Sequence, residues 1–165
     1  MRYRTGLISV LLFVGVVGIA FAQTTPSLQG VWRITELTVT GANASTNKSP
    51  QPSLYIFTKQ HYSIVTIVGT AARNKLANPA NPDKLTDAEK LARYEAWDLL
   101  TANAGTYDIK GSTLTTHPTV AKNPGVMGVP QNREFKIDGS TLTFTQKSAP
   151  SQPVSQTTTR LTRVE

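Results

Sequence analysis

The sequence contains no cysteine, only two histidines and few charged residues. Of its 165 residues, 16% are Asp, Glu, Lys or Arg and 39% are hydrophobic. The absence of cysteine excludes disulfide scaffolds, thiolate zinc sites, cysteine nucleophiles and a lipid anchor attached through cysteine. The length predicts a single domain, and the hydrophobic content argues against disorder.

Basic residues outnumber acidic ones, and the formal net charge is +7. They are scattered singly, without a run of three and without the alternation of aromatic and basic residues that is typical of RNA-binding motifs. We therefore expect no nucleic-acid partner.

Residues 1–22 have the three parts of a secretory signal peptide. Two arginines precede an uncharged apolar stretch, and Ala20 and Ala22 supply the small side chains that the peptidase requires. The stretch is at the lower limit of about 17 residues for spanning a bilayer. We expect cleavage after Ala22, export to the periplasm or the medium, and a mature domain of residues 23–165 without a stable membrane anchor.

Threonine is abundant in the mature chain, where it supplies 23 of 143 residues. Such β-branched side chains favour strands over helical bundles or coiled coils. Segments of alternating polar and apolar residues recur between turn residues, and two pairs of them flank Gly111-Ser112 and Gly139-Ser140, where glycine can adopt the positive φ of a tight hairpin. The predicted strands are residues 31–40, 54–59, 61–68, 105–109, 113–116, 133–137, 141–146 and 157–164.

One helix is predicted within this series of strands. Thr86 and Glu89 have the spacing of a capping box, and no Pro or Gly follows for fifteen residues, so that we expect a helix over 87–102. One apolar stripe is expected to lie on the sheet or across a barrel mouth. It consists of Ala88, Leu91, Ala92, Ala96 and Leu99. Tyr94 and Trp97 are on the opposite side, where they either pack under a loop or face a cavity.

Several motifs resemble the bacterial lipocalin-like domain family. Gly30-Val31-Trp32 is similar to the Gly-x-Trp signature that opens the first strand of lipocalins. The later motifs are Ala104-Gly105-Thr106-Tyr107-Asp108-Ile109, Thr115-Thr116-His117, Asn123-Pro124, Gly128, Arg133-Glu134-Phe135 and Gly139-Ser140-Thr141-Leu142-Thr143. The resemblance covers about residues 28–164 and implies an all-β fold, an eight-stranded antiparallel up-and-down barrel with one inserted helix. Eight strands also suffice to enclose one small ligand.

Strand phase predicts which side chains point into such a barrel. The expected inward residues are Trp32, Ile34, Tyr107, Phe135, Ile137, Leu142 and Phe144. Arg133 shares the phase of Phe135, and an inward guanidinium needs a partner. Two alternatives remain open: an ion pair with Glu36, which shares the phase of Trp32, or an anionic group of a ligand.

The resemblance also implies a role for an arginine of the last strand. In lipocalins such an arginine packs over the tryptophan of the Gly-x-Trp motif, and Arg163 or Arg160 could do this to Trp32. His117 matches a family histidine and is expected either at the rim of a cavity or as a solvated residue at a strand end. His61 and His117 lack the short spacing of metal ligands, so we expect no metal and no cofactor.

The sequence favours an exported lipocalin-like protein that binds a small, largely apolar or amphipathic molecule, which can carry an acidic group, inside the barrel. The alternatives are a filled barrel that acts as a structural or interaction module through an apolar patch near residues 126–129, and a barrel enzyme of the isomerase or cyclase type. No catalytic residue is assigned, and whether the protein is an enzyme stays open. We expect ligand binding by Arg133, His117, Tyr107, Trp97, Phe135 and Phe144, and a structural barrel end formed by Trp32, Arg163 and Glu36.

Overall fold

A computed structural model describes residues 27–41, 43–73, 75–149 and 152–165. The segment expected to be a signal peptide lies outside the described residues. The described part contains the strands β1 (Gly30–Gly41), β2 (Ser45–Asn47), β3 (Ser53–Phe57), β4 (His61–Ile67), β5 (Leu100–Lys110), β6 (Thr113–Ala121), β7 (Gln131–Asp138), β8 (Thr141–Lys147) and β9 (Ser155–Arg163), the helix α1 (Asp87–Asp98) and two short 3-10 turns, Pro82–Lys84 and Pro124–Val126.

All neighbouring strands pair antiparallel, and the sheet closes on itself. From β3 onward each strand pairs with the next one in sequence, β3 pairs with the start of β1, and β9 returns to pair along most of β1. The result is an eight-stranded up-and-down barrel, and the predicted all-β fold is confirmed. The three-residue strand β2 adds to the edge of β1 at Leu37, Thr38 and Val39; its short polar sequence gave no strand signal.

The two ends of the barrel differ in their connections. At one end, here called the closed end, β5 joins β6 through Gly111-Ser112 and β7 joins β8 through Gly139-Ser140. The two glycines have φ values of 60° and 55°, as the predicted hairpins require. The long connections lie at the other end, here called the open end, together with α1.

The hydrophobic core occupies the closed half of the barrel. Side chains alternate between the two faces of each strand, and the inward ones pack together. The buried core consists of Leu28, Trp32, Tyr55, Phe57, Tyr62, Ile64, Leu114, Leu142, Phe144 and Leu161, with Ile34, Tyr107, Phe135 and Ile137 packed against it. All seven residues expected inside from strand phase are in this set. Burial of each large apolar side chain contributes roughly 1.5–3 kcal/mol.

Helix α1 is shorter than expected, and it packs less closely against the barrel than its apolar stripe predicted. It ends at Asp98, because Leu100 pairs with Ile67 and Thr101 with Thr66, which extends β5 into the segment predicted as helix. None of its residues is buried, and Leu91 is 57% exposed. The stripe is therefore buried neither on the sheet nor across the barrel mouth, and both expected positions are wrong. Three of the five stripe residues are alanines, which offer little apolar area to bury.

Side-chain hydrogen bonds define the start of α1 and attach its end to the barrel. At its start the Thr86 hydroxyl accepts a hydrogen bond from the backbone N–H of Glu89, and the Glu89 carboxylate accepts one from the backbone N–H of Thr86, which is the predicted capping box. At its end the Lys122 ammonium donates to the backbone carbonyl of Asp98 at 2.8 Å and to its carboxylate at 3.1 Å. These contacts fix the end of the helix beside the open end of the barrel.

Candidate functional site

The open half of the barrel is lined mainly by polar side chains. Their strands present alternate residues to the interior, and the register of each pair identifies which ones share a face with the core. The inward polar residues beyond the core include Ser53, Thr66, Asn103, Gln131, Arg133, Thr157 and Thr159, whereas Leu37 and Val39 add apolar surface. The interior thus changes from apolar and packed at the closed end to more polar at the open end.

Two cavities lie at the open end and reach inward-facing side chains. One has a volume of about 240 Å³ and is lined among others by Ile34, Tyr55 and Thr159. The other has a volume of about 580 Å³ and is lined among others by Gln131 and Arg133. The larger one lies within the range of ligand sites, which is roughly 300–1,000 Å³. The described side chains therefore do not fill the open half.

Arg133 enters the interior from the first half of β7. Its backbone pairs with Leu114, whose side chain is 1% exposed and belongs to the core, so the Arg133 side chain points inward as expected. Within the part of the chain that the structure describes, no carboxylate lies at salt-bridge distance from its guanidinium. Its Nε is buried and finds no protein acceptor among those residues.

Glu36 does not face Arg133, because β1 contains a β-bulge. Ile34 pairs with the inward Leu161, whereas Glu36 pairs with the exposed Arg160, and Thr35 is the extra residue between them. One inserted residue reverses the alternation of faces along the rest of the strand. The expected inward orientation of Glu36 is therefore wrong, and so is the ion pair with Arg133.

Two buried tyrosines lie close to Arg133. Burial raises the pKa of Tyr55, and the charge and hydrogen bonding of the Arg133 guanidinium partly offset this rise. Burial also raises the pKa of Tyr62, which the neighbouring Thr116 hydroxyl and the Arg133 charge oppose. The Tyr62 hydroxyl has no hydrogen-bond partner among the described residues. Both tyrosines remain protonated donors at neutral pH.

His117 lies on the outer face of β6. Leu114, Thr116 and Pro118 are the buried residues of this strand, so that the alternate residue His117 points away from the interior. Its Nε2 is 2.9 Å from the carboxylate of Asp108 on the outer face of β5. His117 lines neither cavity, and the rim position expected for it is not where the structure places it.

The other expected ligand-binding residues do not line the two cavities either. Trp97 is 54% exposed on α1. Phe144 stacks on Tyr55 with ring centroids 6.2 Å apart, and Phe135 packs against the same core. Tyr107 packs edge-on against Phe57, and its hydroxyl donates to the carbonyl of Thr58 at 2.6 Å.

Of the expected ligand-binding residues, Arg133 lines one of the two cavities. The cavities are also lined by residues that the sequence analysis missed, including Tyr55, Asn103, Gln131 and Thr159. Strand phase contained the signal for Tyr55, which alternates with Phe57. At the closed end, Arg163 lies over the indole of Trp32, and neither residue lines the two cavities.

The described residues carry few other site-like features. No group of three or more His, Cys, Asp or Glu side chains among them could hold a metal ion. None of the helices in the described ranges has the length and apolar character needed to cross a bilayer. An exposed apolar patch is present at the open end: Val120, Met127 and Val129 are 66%, 45% and 52% exposed.

A closed eight-stranded antiparallel barrel with short hairpins at one end and long connections at the other defines a lipocalin-type architecture. A family model described as a lipocalin-like domain matches residues 29–164, and the chain belongs to this family. Comparisons with curated proteins and with solved structures give no significant match. The family membership extends over the whole barrel.

Proposed function

We propose that this protein binds a small molecule in the open half of its barrel. The observation that carries the proposal is the pair of cavities that reach the inward side chains of Tyr55 and Arg133. The packed core below them provides a rigid base, because the closed half is filled by large buried side chains. A mostly preformed pocket limits the ordering that binding requires.

The lining favours an amphipathic ligand over a purely apolar one. The smaller cavity presents Ile34, Leu37 and the Tyr55 ring, whereas the larger one combines Leu100 and other apolar residues with amides and charged groups. An apolar body with one polar group would match both kinds of surface.

A neutral fluorescent probe tests interior binding. We expect N-phenyl-1-naphthylamine to bind with one-to-one stoichiometry and with a rise in its fluorescence. The double variant Thr159→Trp with Gln131→Trp places two indoles in the cavities and should abolish the signal. The matched control Thr158→Trp with Asn132→Trp places the same indoles on the outer face of the same strands and should bind normally. Equal binding by both double variants, or no binding by the wild type, would contradict the proposal.

We further propose that the protein is exported and that the mature chain begins at Gln23. The support is the sequence of residues 1–22, with its basic start, its apolar stretch and Ala20 and Ala22 at the cleavage site. Intact-mass measurement of protein recovered from the periplasm or the medium should give the mass of residues 23–165. A membrane-bound chain that retains Met1 would contradict this assignment.

The exposed patch of Val120, Met127 and Val129 favours a second candidate, an interaction module. Apolar patches of this kind can mediate association of two copies. This candidate predicts self-association in sedimentation experiments that Val129→Ser reduces, while the neutral probe gives no interior signal. A monomer that binds the probe would contradict it.

A further inference from the structure

On the basis of the interior site proposed above, we propose that the ligand is an organic anion whose acidic group is bound by the guanidinium of Arg133 together with the hydroxyl groups of Tyr55 and Tyr62. The acidic group would lie at the base of the open half, and the rest of the molecule would extend toward the mouth of the barrel.

The first step of the argument is the uncompensated charge of Arg133. A guanidinium keeps its charge in proteins, and a buried one is normally paired with an acid. No carboxylate in the described residues pairs with Arg133, and the bulge in β1 turns Glu36 to the outer face. The larger cavity therefore contains a half-buried cation for which the described residues supply no counter-ion.

The second step is the excess of hydrogen-bond donors around that charge. The Arg133 Nε and the Tyr62 hydroxyl are buried without a protein partner in the described part of the chain. Buried polar groups in folded proteins are nearly always hydrogen-bonded, and an unpaired donor costs about 1–3 kcal/mol. A carboxylate, sulfonate or phosphate group would supply several acceptor oxygens to these donors at once.

The third step concerns the other charged groups of the larger cavity. Lys122 and Asp98 also line it, but these two side chains form an ion pair with a distance of 3.1 Å between Nζ and Oδ1. Their charges compensate each other, and Arg133 supplies the excess positive charge. Leu100, Ala102 and Val126 line the same cavity and offer apolar surface to the body of an organic anion.

Two probes that differ in one sulfonate test the inference. 8-Anilinonaphthalene-1-sulfonate has the skeleton of N-phenyl-1-naphthylamine with an added anionic group. In Arg133→Gln we expect the affinity for the sulfonate probe to fall about tenfold or more, and the affinity for the neutral probe to change less than about twofold. Lys136→Gln removes one positive charge from the outer face of the same strand and should leave both affinities unchanged.

The tyrosine hydroxyls provide an independent test that does not depend on the folding of the arginine variant. Tyr62→Phe removes a hydroxyl that has no partner among the described residues, and Tyr55→Phe removes one that faces Arg133. Each change should lower the affinity for the sulfonate probe more than the affinity for the neutral probe. Circular dichroism should show an unchanged fold.

The outcomes separate this inference from the proposed function. If both probes bind and the arginine and tyrosine variants weaken them equally or not at all, the anionic class is wrong while interior binding stands. If neither probe binds the wild type, the proposed function is wrong and the inference is lost with it. Selective loss of the sulfonate probe supports both.

Discussion

Arg163 covers the indole of Trp32 at the closed end of the barrel, with its guanidinium carbon 4.1 Å from the ring centroid. Trp32 is fully buried and donates from its Nε1 to the backbone carbonyl of Leu28 at 2.9 Å. The two terminal nitrogens of Arg163 donate to the carbonyls of Gln29 at 2.6 Å and Ser27 at 2.5 Å. The last strand thereby holds the segment that precedes the first strand and closes this end.

Arg163→Met should therefore destabilise the protein. The change removes a cation–π contact of about 0.5–2 kcal/mol and two charge-assisted hydrogen bonds, and we expect the free energy of unfolding to fall by roughly 2–3 kcal/mol. Arg160→Met, on the exposed face of the same strand, should change it by less than about 1 kcal/mol. Urea unfolding of the two variants provides the comparison. Equal losses of stability in the two variants would show that the contact with Trp32 does not stabilise the fold.

Arg133→Met should leave the unliganded protein as stable as the wild type or make it more stable. The substitution replaces a half-buried charge, which no carboxylate of the described residues compensates, with an apolar side chain of similar length. Thermal melts in the absence of ligand should show an unchanged or raised melting temperature. A large fall would mean that a carboxylate compensates the guanidinium in the folded protein.

The double variant with Glu36→Gln tests whether Glu36 is such a partner. Because the two side chains lie on opposite faces of the barrel wall, their effects should add to within about 0.5 kcal/mol. A coupling free energy well above this value would show that Arg133 and Glu36 form an ion pair, which would contradict the structure.

Glu36 shows where the alternation of residues along a strand stops predicting which side chains face the barrel interior. Alternation identified the inward Arg133, Phe135 and Ile137 on β7 and Leu142 and Phe144 on β8. It failed on β1 beyond Thr35, because a bulge inserts one residue there. The sequence carries a signal for this bulge, since the apolar residues change from even positions, Trp32 and Ile34, to odd ones, Leu37 and Val39. The register that decides the face of Glu36 is set by pairing with β9, more than 120 residues away in the chain.

The tight turns and the helix also show that local features can be predicted from the sequence, whereas features that depend on long-range strand pairing cannot. Gly111 and Gly139 were predictable, since the conformation they adopt depends on local chemistry. The start of α1 was predictable for the same reason, through the side chains of Thr86 and Glu89. Its end was not, because strand pairing with β4 outweighs helix propensity from residue 100 onward.

The two tryptophans should behave very differently on substitution. Trp32 is fully buried and Trp97 is 54% exposed, so Trp32→Ala should lower the free energy of unfolding by about 3–5 kcal/mol, whereas Trp97→Ala should change it by less than about 0.5 kcal/mol. In Trp97→Phe the remaining indole should emit at short wavelength and resist quenching by iodide. Strong quenching in that variant would place Trp32 in solvent and contradict the closed barrel end.

Glu134 should make the stability of the hairpin around Gly111-Ser112 depend on pH. Its carboxylate accepts hydrogen bonds from Ser112 at 2.6 Å and Thr113 at 2.7 Å, and these bonds hold its pKa below the usual value. A lowered pKa in the folded state means that the stabilisation is present above the unfolded-state pKa of about 4.3 and is lost as the pH falls through the folded-state value.

Glu134→Gln should accordingly melt at a lower temperature than the wild type at pH 7, and the difference should shrink as the pH falls below about 4. Glu95→Gln, on the exposed helix, should show no comparable difference at pH 7. A gap for Glu134→Gln that stays constant down to pH 3 would mean that the hydrogen bonds to the carboxylate do not stabilise the fold.

Gly105 is required by the close approach of two strands. A register shift separates Ala104 from Gly105 where β5 pairs with β6, and any Cβ at Gly105 would overlap the carbonyl oxygen of His117 and lie 2.9 Å from its carbonyl carbon. The obstacle is backbone, so it cannot move aside as a side chain can. Gly105→Ala should lower the free energy of unfolding by about 1–3 kcal/mol, whereas Thr106→Ala on the exposed face should stay within about 0.5 kcal/mol. Denaturant unfolding measures both, and equal stability of the two variants would show that the strands can separate at this point without loss.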